Sequence, residues 1–168
     1  VNIEQIRDAI SDIANTKGTN AKAELLKTHL EDPFFRAVCV YALDPYRTYG
    51  VAGIGEICEA IGDRVPERID EIDWLLLKLW RRQLTGNAAK LAIQDFADTL
   101  TLKGQMVLDM ILTKDLNCGV TAKTVNKVMP GLIPTFTVML AQPLDRQKLS
   151  FPVAVEPKLD GIRTTCVV

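Results

Sequence analysis

The chain has 168 residues, of which 48% are hydrophobic and 24% charged, a composition typical of a globular domain with its own core. No apolar run reaches the length of a membrane span, and the start of the chain has no pattern of an export signal. The four cysteines and the single histidine lack metal-ligand spacing, which argues against a zinc site and predicts reduced thiols in a cytoplasmic protein.

The net charge of −1 conceals an uneven distribution of charged residues along the chain. Residues 1–77 contain 8 Lys and Arg against 14 Asp and Glu, whereas residues 78–168 contain 12 against 7. This asymmetry has two explanations: two solvated faces of one protein, or a second half that meets an anionic partner.

Apolar residues recur at helical spacing through most of the first 128 residues, which predicts seven or eight helices. The first helix is expected behind a cap at Asn2, and the second is expected to begin at Thr19 or Asn20. The third is expected to run from Pro33, behind a cap at Asp32, to about Leu43. A turn-rich segment follows, then a short helix around Ile54–Ile61 and the longest helix, which is expected to open at Pro66. Thr85 and Thr121 are predicted to cap later helices, and a further helix lies between them in "LKGQMVLDMILTKDL".

The pattern changes at Met129-Pro130, after which four of the eight prolines occur within "PGLIPTFTVMLAQPLDRQKLSFP". We interpret residues 129–150 as a linker and the start of a second domain. Residues 151–168 follow as two β-branched segments, "FPVAV" and "IRTTCVV", which predict a strand-loop-strand. The loop between these strands is "EPKLDGIR".

This loop combines residue types that suit nucleotide chemistry. A lysine amine is a nucleophile only when its pKa is lowered, and an arginine nearby can hold phosphate or ribose oxygens. Glycine lets the backbone approach a nucleotide closely. Lys158, Asp160, Gly161 and Arg163 therefore suit attack on a nucleotide α-phosphate, although a solvated lysine beside an ordinary Asp-Gly turn has the same composition.

"EPKLDGIR" resembles the K-x-D-G-x-R adenylation motif of the covalent nucleotidyltransferases, which include DNA ligases, RNA ligases and capping enzymes. "RRQLTGNAA", "TKDLNCGVTAKTVNKVMPGLIP" and "VMLAQPLD" further resemble the ATP-dependent DNA ligases of the bacteriophage type. The resemblance is distinct over residues 81–168 and weaker over residues 1–80. These ligases place an all-helical DNA-binding domain before the nucleotidyltransferase domain, a domain that RNA ligases and capping enzymes lack.

The resemblance implies a role for each residue of the motif. Lys158 is the nucleophile that becomes adenylated by ATP, and Glu156 hydrogen-bonds the adenine amino group. Asp160 and Gly161 shape the loop, and Arg163 contacts the ribose or the nick terminus. Mg²⁺ would assist, with its ligands outside these 168 residues.

The resemblance also implies nicked double-stranded DNA as the partner, held through its backbone without sequence preference. Two segments suit phosphate contacts because they present backbone N–H groups at a helix start. The candidate residues are Thr85, Gly86 and Asn87 in the first segment, and Gly119, Val120, Thr121, Lys123 and Lys127 in the second. Arg81, Arg82, Lys90 and Lys114 are weaker candidates. The structural alternative is that both threonines are only caps and the glycines only turns.

We therefore predict a mainly α fold: a multi-helix DNA-binding domain over residues 1–128, followed by a β-hairpin that begins a truncated, ATP-grasp-like α+β nucleotidyltransferase domain. The predicted function is that of the N-terminal part of an ATP-dependent DNA ligase from a bacterial or phage-infected cell, which binds nicked DNA but does not seal it alone. The alternatives are a stand-alone DNA-binding module, another nucleotidyltransferase such as an RNA ligase, and a plain helical scaffold. No feature identifies a sliding clamp or replication protein as a partner.

Overall fold

Seven α-helices make up the regular structure of residues 1–55 and 62–135, the part of the chain that the computed structural model describes. They are α1 (Ile3–Asn15), α2 (Thr19–His29), α3 (Pro33–Leu43), α4 (Asp70–Trp80), α5 (Gly86–Ala97), α6 (Leu102–Thr113) and α7 (Ala122–Val128). The mainly helical prediction is confirmed, and none of these helices is long and apolar enough to cross a membrane. The predicted hairpin lies outside the described residues.

Helices α1 and α3 begin behind their predicted caps, and α2 begins at Thr19, one of its two predicted starts, without a side-chain cap. The Asn2 side chain accepts a hydrogen bond from the Gln5 N–H at 3.0 Å, and the Gln5 side chain accepts one from the Asn2 N–H at 2.9 Å. This reciprocal pair is a capping box, which satisfies two N–H groups at the start of α1. Asp32 caps α3 in the same way, by accepting from the Phe35 N–H at 2.9 Å, and Pro33 occupies the first turn.

The helix expected to open at Pro66 begins four residues later, at Asp70. The Pro66 carbonyl accepts a hydrogen bond from the Ile3 N–H at 2.8 Å, so this residue is held by the start of α1. The Glu71 carboxylate accepts from the N–H groups of Glu67 and Arg68, and so holds the backbone turn just before α4. The prediction was wrong about the length as well, since α1 is longer than α4. The short helix expected around Ile54–Ile61 falls largely outside the described residues.

Helix α6 lies at the centre of the core. It packs against α1, α3 and α5, while α2 packs against α1 and α7, and α4 against α5. Seven of its twelve residues are buried, and the rest leave only a narrow outer face along Leu102, Met106, Asp109 and Thr113. The apolar residues of α1 that predicted its inner face, Ile3, Ile6, Ile10 and Ile13, are all buried. Trp74 and Trp80 of α4 are partly exposed.

A short backbone pairing ties the chain before α4 to the connection between α5 and α6. The Arg64 N–H donates to the Thr99 carbonyl at 3.0 Å, and the Thr101 N–H donates to the Arg64 carbonyl at 3.2 Å. Gly62 lies close to the same connection: a Cβ at this position would be 2.1 Å from the Thr99 carbonyl carbon. Only glycine allows the two backbone segments to approach this closely.

We expect Gly62→Ala to lower the free energy of unfolding by about 2 kcal/mol or more, because the added methyl group would collide with backbone atoms that cannot rotate away. Urea denaturation measures this change. Gly104→Ala is the matched control, since its Cβ would be 3.2 Å from the Leu100 Cβ and α6 gains helix propensity. Equal effects of the two variants would contradict the close approach at Gly62.

Candidate nucleic-acid interface

The start of α5 has a backbone that no side chain of the described residues caps. Thr85 occupies the N-cap position with extended φ and ψ angles, as predicted, but its side chain makes no capping hydrogen bond. Thr85, Gly86 and Asn87 are all exposed. The first backbone bond of the helix runs from the Ala89 N–H to the Thr85 carbonyl at 3.3 Å. The preceding N–H groups are thus open to an external acceptor such as a phosphate oxygen.

A second candidate segment, residues 114–121, connects α6 to α7, and we call it the 114–121 loop. Buried and exposed residues alternate along it. Leu116, Cys118 and Val120 are buried in the core, whereas Asp115, Asn117, Gly119 and Thr121 are exposed. The exposed backbone is therefore anchored from beneath by three side chains.

The backbone of this loop adopts left-handed conformations at three residues. Lys114 has φ +64°, Asn117 has φ +52° and Gly119 has φ +72°. Only glycine occupies this region without steric cost, and asparagine tolerates it better than most other residues. Lys114 in this conformation ends α6. Residues held in sparsely populated conformations persist where the surrounding structure fixes them, and they concentrate at ligand-binding segments.

Val120 differs from the other candidates because its side chain belongs to the core. Burial raises the pKa of the nearby Cys118 thiol, and the backbone N–H of Val120 opposes that rise. Any contact of Val120 with a ligand would therefore involve the backbone. Gly119, which is exposed, has no such internal acceptor for its N–H among the described residues.

Helix α7 places two lysines on the same exposed face. Thr121 caps the helix as predicted, since its hydroxyl accepts from the Thr124 N–H at 3.4 Å. Lys123 and Lys127 are four residues apart and both exposed, so their ammonium groups lie on one side of the helix. Val125 between them is buried against the core.

The weaker candidate Lys114 has a structural role. Its ammonium group donates to the Tyr41 carbonyl at 2.8 Å and to the Asp44 carbonyl at 2.7 Å, and it lies 5.4 Å from the centre of the Tyr49 ring. These contacts link the start of the 114–121 loop to the last turn of α3 and to the chain that follows it. Burial lowers the pKa of Lys114 to about 8, against the opposing influence of Asp44.

The other weaker candidates differ from one another. The Arg82 guanidinium lies over Gly50, and the residue itself is exposed. Arg81 and Lys90 are exposed as well, as expected for solvated cations. Arg82 therefore has one contact with the chain at Gly50, and Arg81 and Lys90 remain available to a ligand.

The lowered pKa of Lys114 predicts how stability changes with pH. Between pH 8 and 10.5 Lys114 is neutral in the folded protein and charged in the unfolded chain, so the unfolded state binds more protons. The contribution of this group to stability therefore rises with pH across that window. We expect the free energy of unfolding of the wild type, relative to Lys114→Met, to increase between pH 8 and 10.

Urea denaturation at several pH values measures this difference. The neighbouring Tyr41 and Tyr49 have raised pKa values, which lower stability at higher pH in the wild type and in Lys114→Met alike. Asp44 and Arg47 are also present in both proteins, so the difference between the two isolates the effect of Lys114. Lys90→Met is the control, because Lys90 is exposed. A wild-type advantage over Lys114→Met that stays constant with pH would show that Lys114 keeps its ordinary pKa.

The adenylation residues Glu156, Lys158, Asp160, Gly161 and Arg163 lie outside the described residues, and their roles stay predictions. Within residues 1–55 and 62–135 no group of His, Cys, Asp and Glu side chains is arranged to hold a metal ion.

Lys22 was not among the residues predicted from the sequence. Its ammonium donates to the carbonyl of Cys118, 96 residues further along the chain, at 3.0 Å. No local pattern marks this lysine, because its partner is distant in sequence.

Comparisons with known proteins bear on this geometry. No model of a protein family matches the chain. The DNA ligases of Enterobacteria phage T4 and of phage T6 are each 35% identical to it over 98 residues, which is 56% of this chain and 20% of each ligase. Over these residues the chain is similar to phage DNA ligases. Its match thus spans about one fifth of the length of these relatives.

Two solved ligase structures, Pmar-Lig_Pre. and Pmar-Lig_PreS3, share the fold. They align with TM-scores of 0.64 and 0.62 at 29% identity, over 73% of this chain and 29% of each ligase chain. Because the alignment covers most of this chain, the similarity to ligases includes three-dimensional structure as well as sequence. The predicted resemblance to phage-type DNA ligases is confirmed.

Proposed function

We propose that this chain carries the helical DNA-binding part of an ATP-dependent DNA ligase, followed by the start of its nucleotidyltransferase domain. The observation that carries this proposal is the 98-residue match to the two phage DNA ligases. The similarity in fold between this chain and the aligned ligase structures supports the same proposal. The proposed partner is nicked double-stranded DNA.

The described residues offer the chemistry that a sequence-independent DNA contact needs. The start of α5 and the exposed Gly119 each present backbone N–H groups, and Lys123 and Lys127 add positive charge beside the second of these. Backbone N–H groups and lysines bind phosphate oxygens, which carry no base information. A ligase must act on any nick, so contacts of this kind suit its task.

The proposed reaction of the whole ligase has three steps. The Lys158 amine attacks the α-phosphorus of ATP, so that a P–N bond forms and pyrophosphate leaves. AMP then passes from Lys158 to the 5′-phosphate of the nick, which regenerates the lysine. Finally the 3′-hydroxyl attacks that phosphate, a phosphodiester forms and AMP leaves. Mg²⁺ would balance phosphate charge during these transfers.

We expect the 168-residue chain to bind nicked duplex DNA but not to seal it with ATP and Mg²⁺. Binding to nicked duplex, intact duplex and nicked RNA should be measured by fluorescence anisotropy, and sealing on a denaturing gel. Binding that is independent of sequence and weakens steeply with salt supports the proposal. Preference for RNA would favour an RNA ligase, and absence of binding at low salt would favour a helical scaffold.

Lys123→Ala tests the interface directly. If Lys123 contacts a phosphate, its loss should lower the affinity and reduce the slope of log K against log salt concentration by about 0.9. The control is Lys27→Ala, which removes an exposed lysine from α2 in the acidic half of the chain. An unchanged salt slope for Lys123→Ala would place the interface elsewhere on the protein.

A further inference from the structure

Lys22 of α2 lies against the peptide group that precedes Gly119. Its ammonium donates to the Cys118 carbonyl at 3.0 Å and to the Ala14 carbonyl at 3.4 Å. A Cβ built on Gly119 would be 3.7 Å from the same nitrogen. One lysine thus joins the end of α1 to the 114–121 loop.

The Ala14 carbonyl makes this a favourable site for a cation. Ala14 belongs to the last turn of α1, where carbonyl groups lack partners within the helix and the helix dipole is negative. The contact with the Ala14 carbonyl therefore holds Lys22 in place, and the contact with the Cys118 carbonyl holds that peptide group. Lys22 is only partly exposed, which suits a lysine whose charge is used internally.

The Cys118 carbonyl and the Gly119 N–H belong to one planar peptide unit. In a trans peptide these two groups point in opposite directions, so a contact that fixes the oxygen also fixes the direction of the N–H. The positive charge of the ammonium group beside the oxygen also polarises the peptide and makes its N–H a stronger donor. Lys22 therefore acts on the N–H of Gly119, one of the candidate phosphate-binding groups, without contacting a phosphate itself.

We infer that Lys22 is a positioning residue for DNA binding: through the Cys118 carbonyl it orients and polarises the Gly119 N–H toward a DNA phosphate. This inference rests on the proposed function. The competing role is direct contact, because a surface hollow of about 310 Å³ adjoins the ammonium group. Its lining residues are Gly18, Thr19, Lys22, Gly119, Val120 and Thr124.

The salt dependence of DNA binding separates the two roles. We expect Lys22→Met to weaken binding of the 168-residue chain to nicked duplex roughly tenfold, the effect of losing one charge-assisted contact. The slope against log salt concentration should stay unchanged, because no phosphate contact is lost. A slope reduced by about 0.9 would instead show that Lys22 neutralises a phosphate directly and would overturn the inference.

Two further variants sharpen the test. Lys22→Arg should recover most of the affinity, since a guanidinium can also donate to both carbonyls. Lys27→Met, on the same helix but exposed, should change neither affinity nor slope. Affinity of Lys22→Met equal to that of the wild type would also overturn the inference.

A spectroscopic measurement covers the case in which Lys22→Met does not fold. In chain labelled with ¹⁵N-glycine, the Gly119 amide proton should move downfield on addition of DNA. In Lys22→Gln, which lacks the charge, that proton should start further upfield and shift less. Identical shifts in wild type and Lys22→Gln would overturn the inference. If the wild type itself does not bind DNA, the proposed function fails and this inference fails with it.

Discussion

The burial of α6 is the constraint on which the rest of this structure depends. The helix packs against α1, α3 and α5, so Lys114, the residue that caps its C-terminus, has a fixed position beside the core. The 114–121 loop begins at that residue and is anchored further by Leu116, Cys118 and Val120. The packing of α6 therefore fixes the position of the candidate DNA contact at Gly119.

Two partly buried lysines change how the charge of the chain should be interpreted. Lys114 and Lys22 both direct their ammonium groups at backbone carbonyls. Each stabilises one side of the 114–121 loop, and neither presents an unpartnered charge to solvent. A count of lysines and arginines along the sequence consequently overstates the charge available to an anionic ligand. The relevant cations are those that are exposed, such as Lys123 and Lys127.

Local features of the fold were predictable from the sequence, whereas features that depend on distant contacts were not. The caps at Asn2, Asp32 and Thr121 involve residues three positions apart, and all three are confirmed. The start of α4 was predicted wrongly because the Pro66 carbonyl bonds to Ile3, more than sixty residues away. The same reasoning applies to the site: the exposure of Gly86 and Gly119 follows from local turn chemistry, but the partners of Lys22 and Lys114 do not.

The alternation of buried and exposed residues in the 114–121 loop restricts how its length can change. Removing one residue would reverse the alternation beyond that point, so that apolar side chains would face solvent and polar ones the core. Removing or adding two residues would preserve it. We therefore expect a change of two residues to disturb the buried positions less than a change of one, while the outward positions can vary in chemistry.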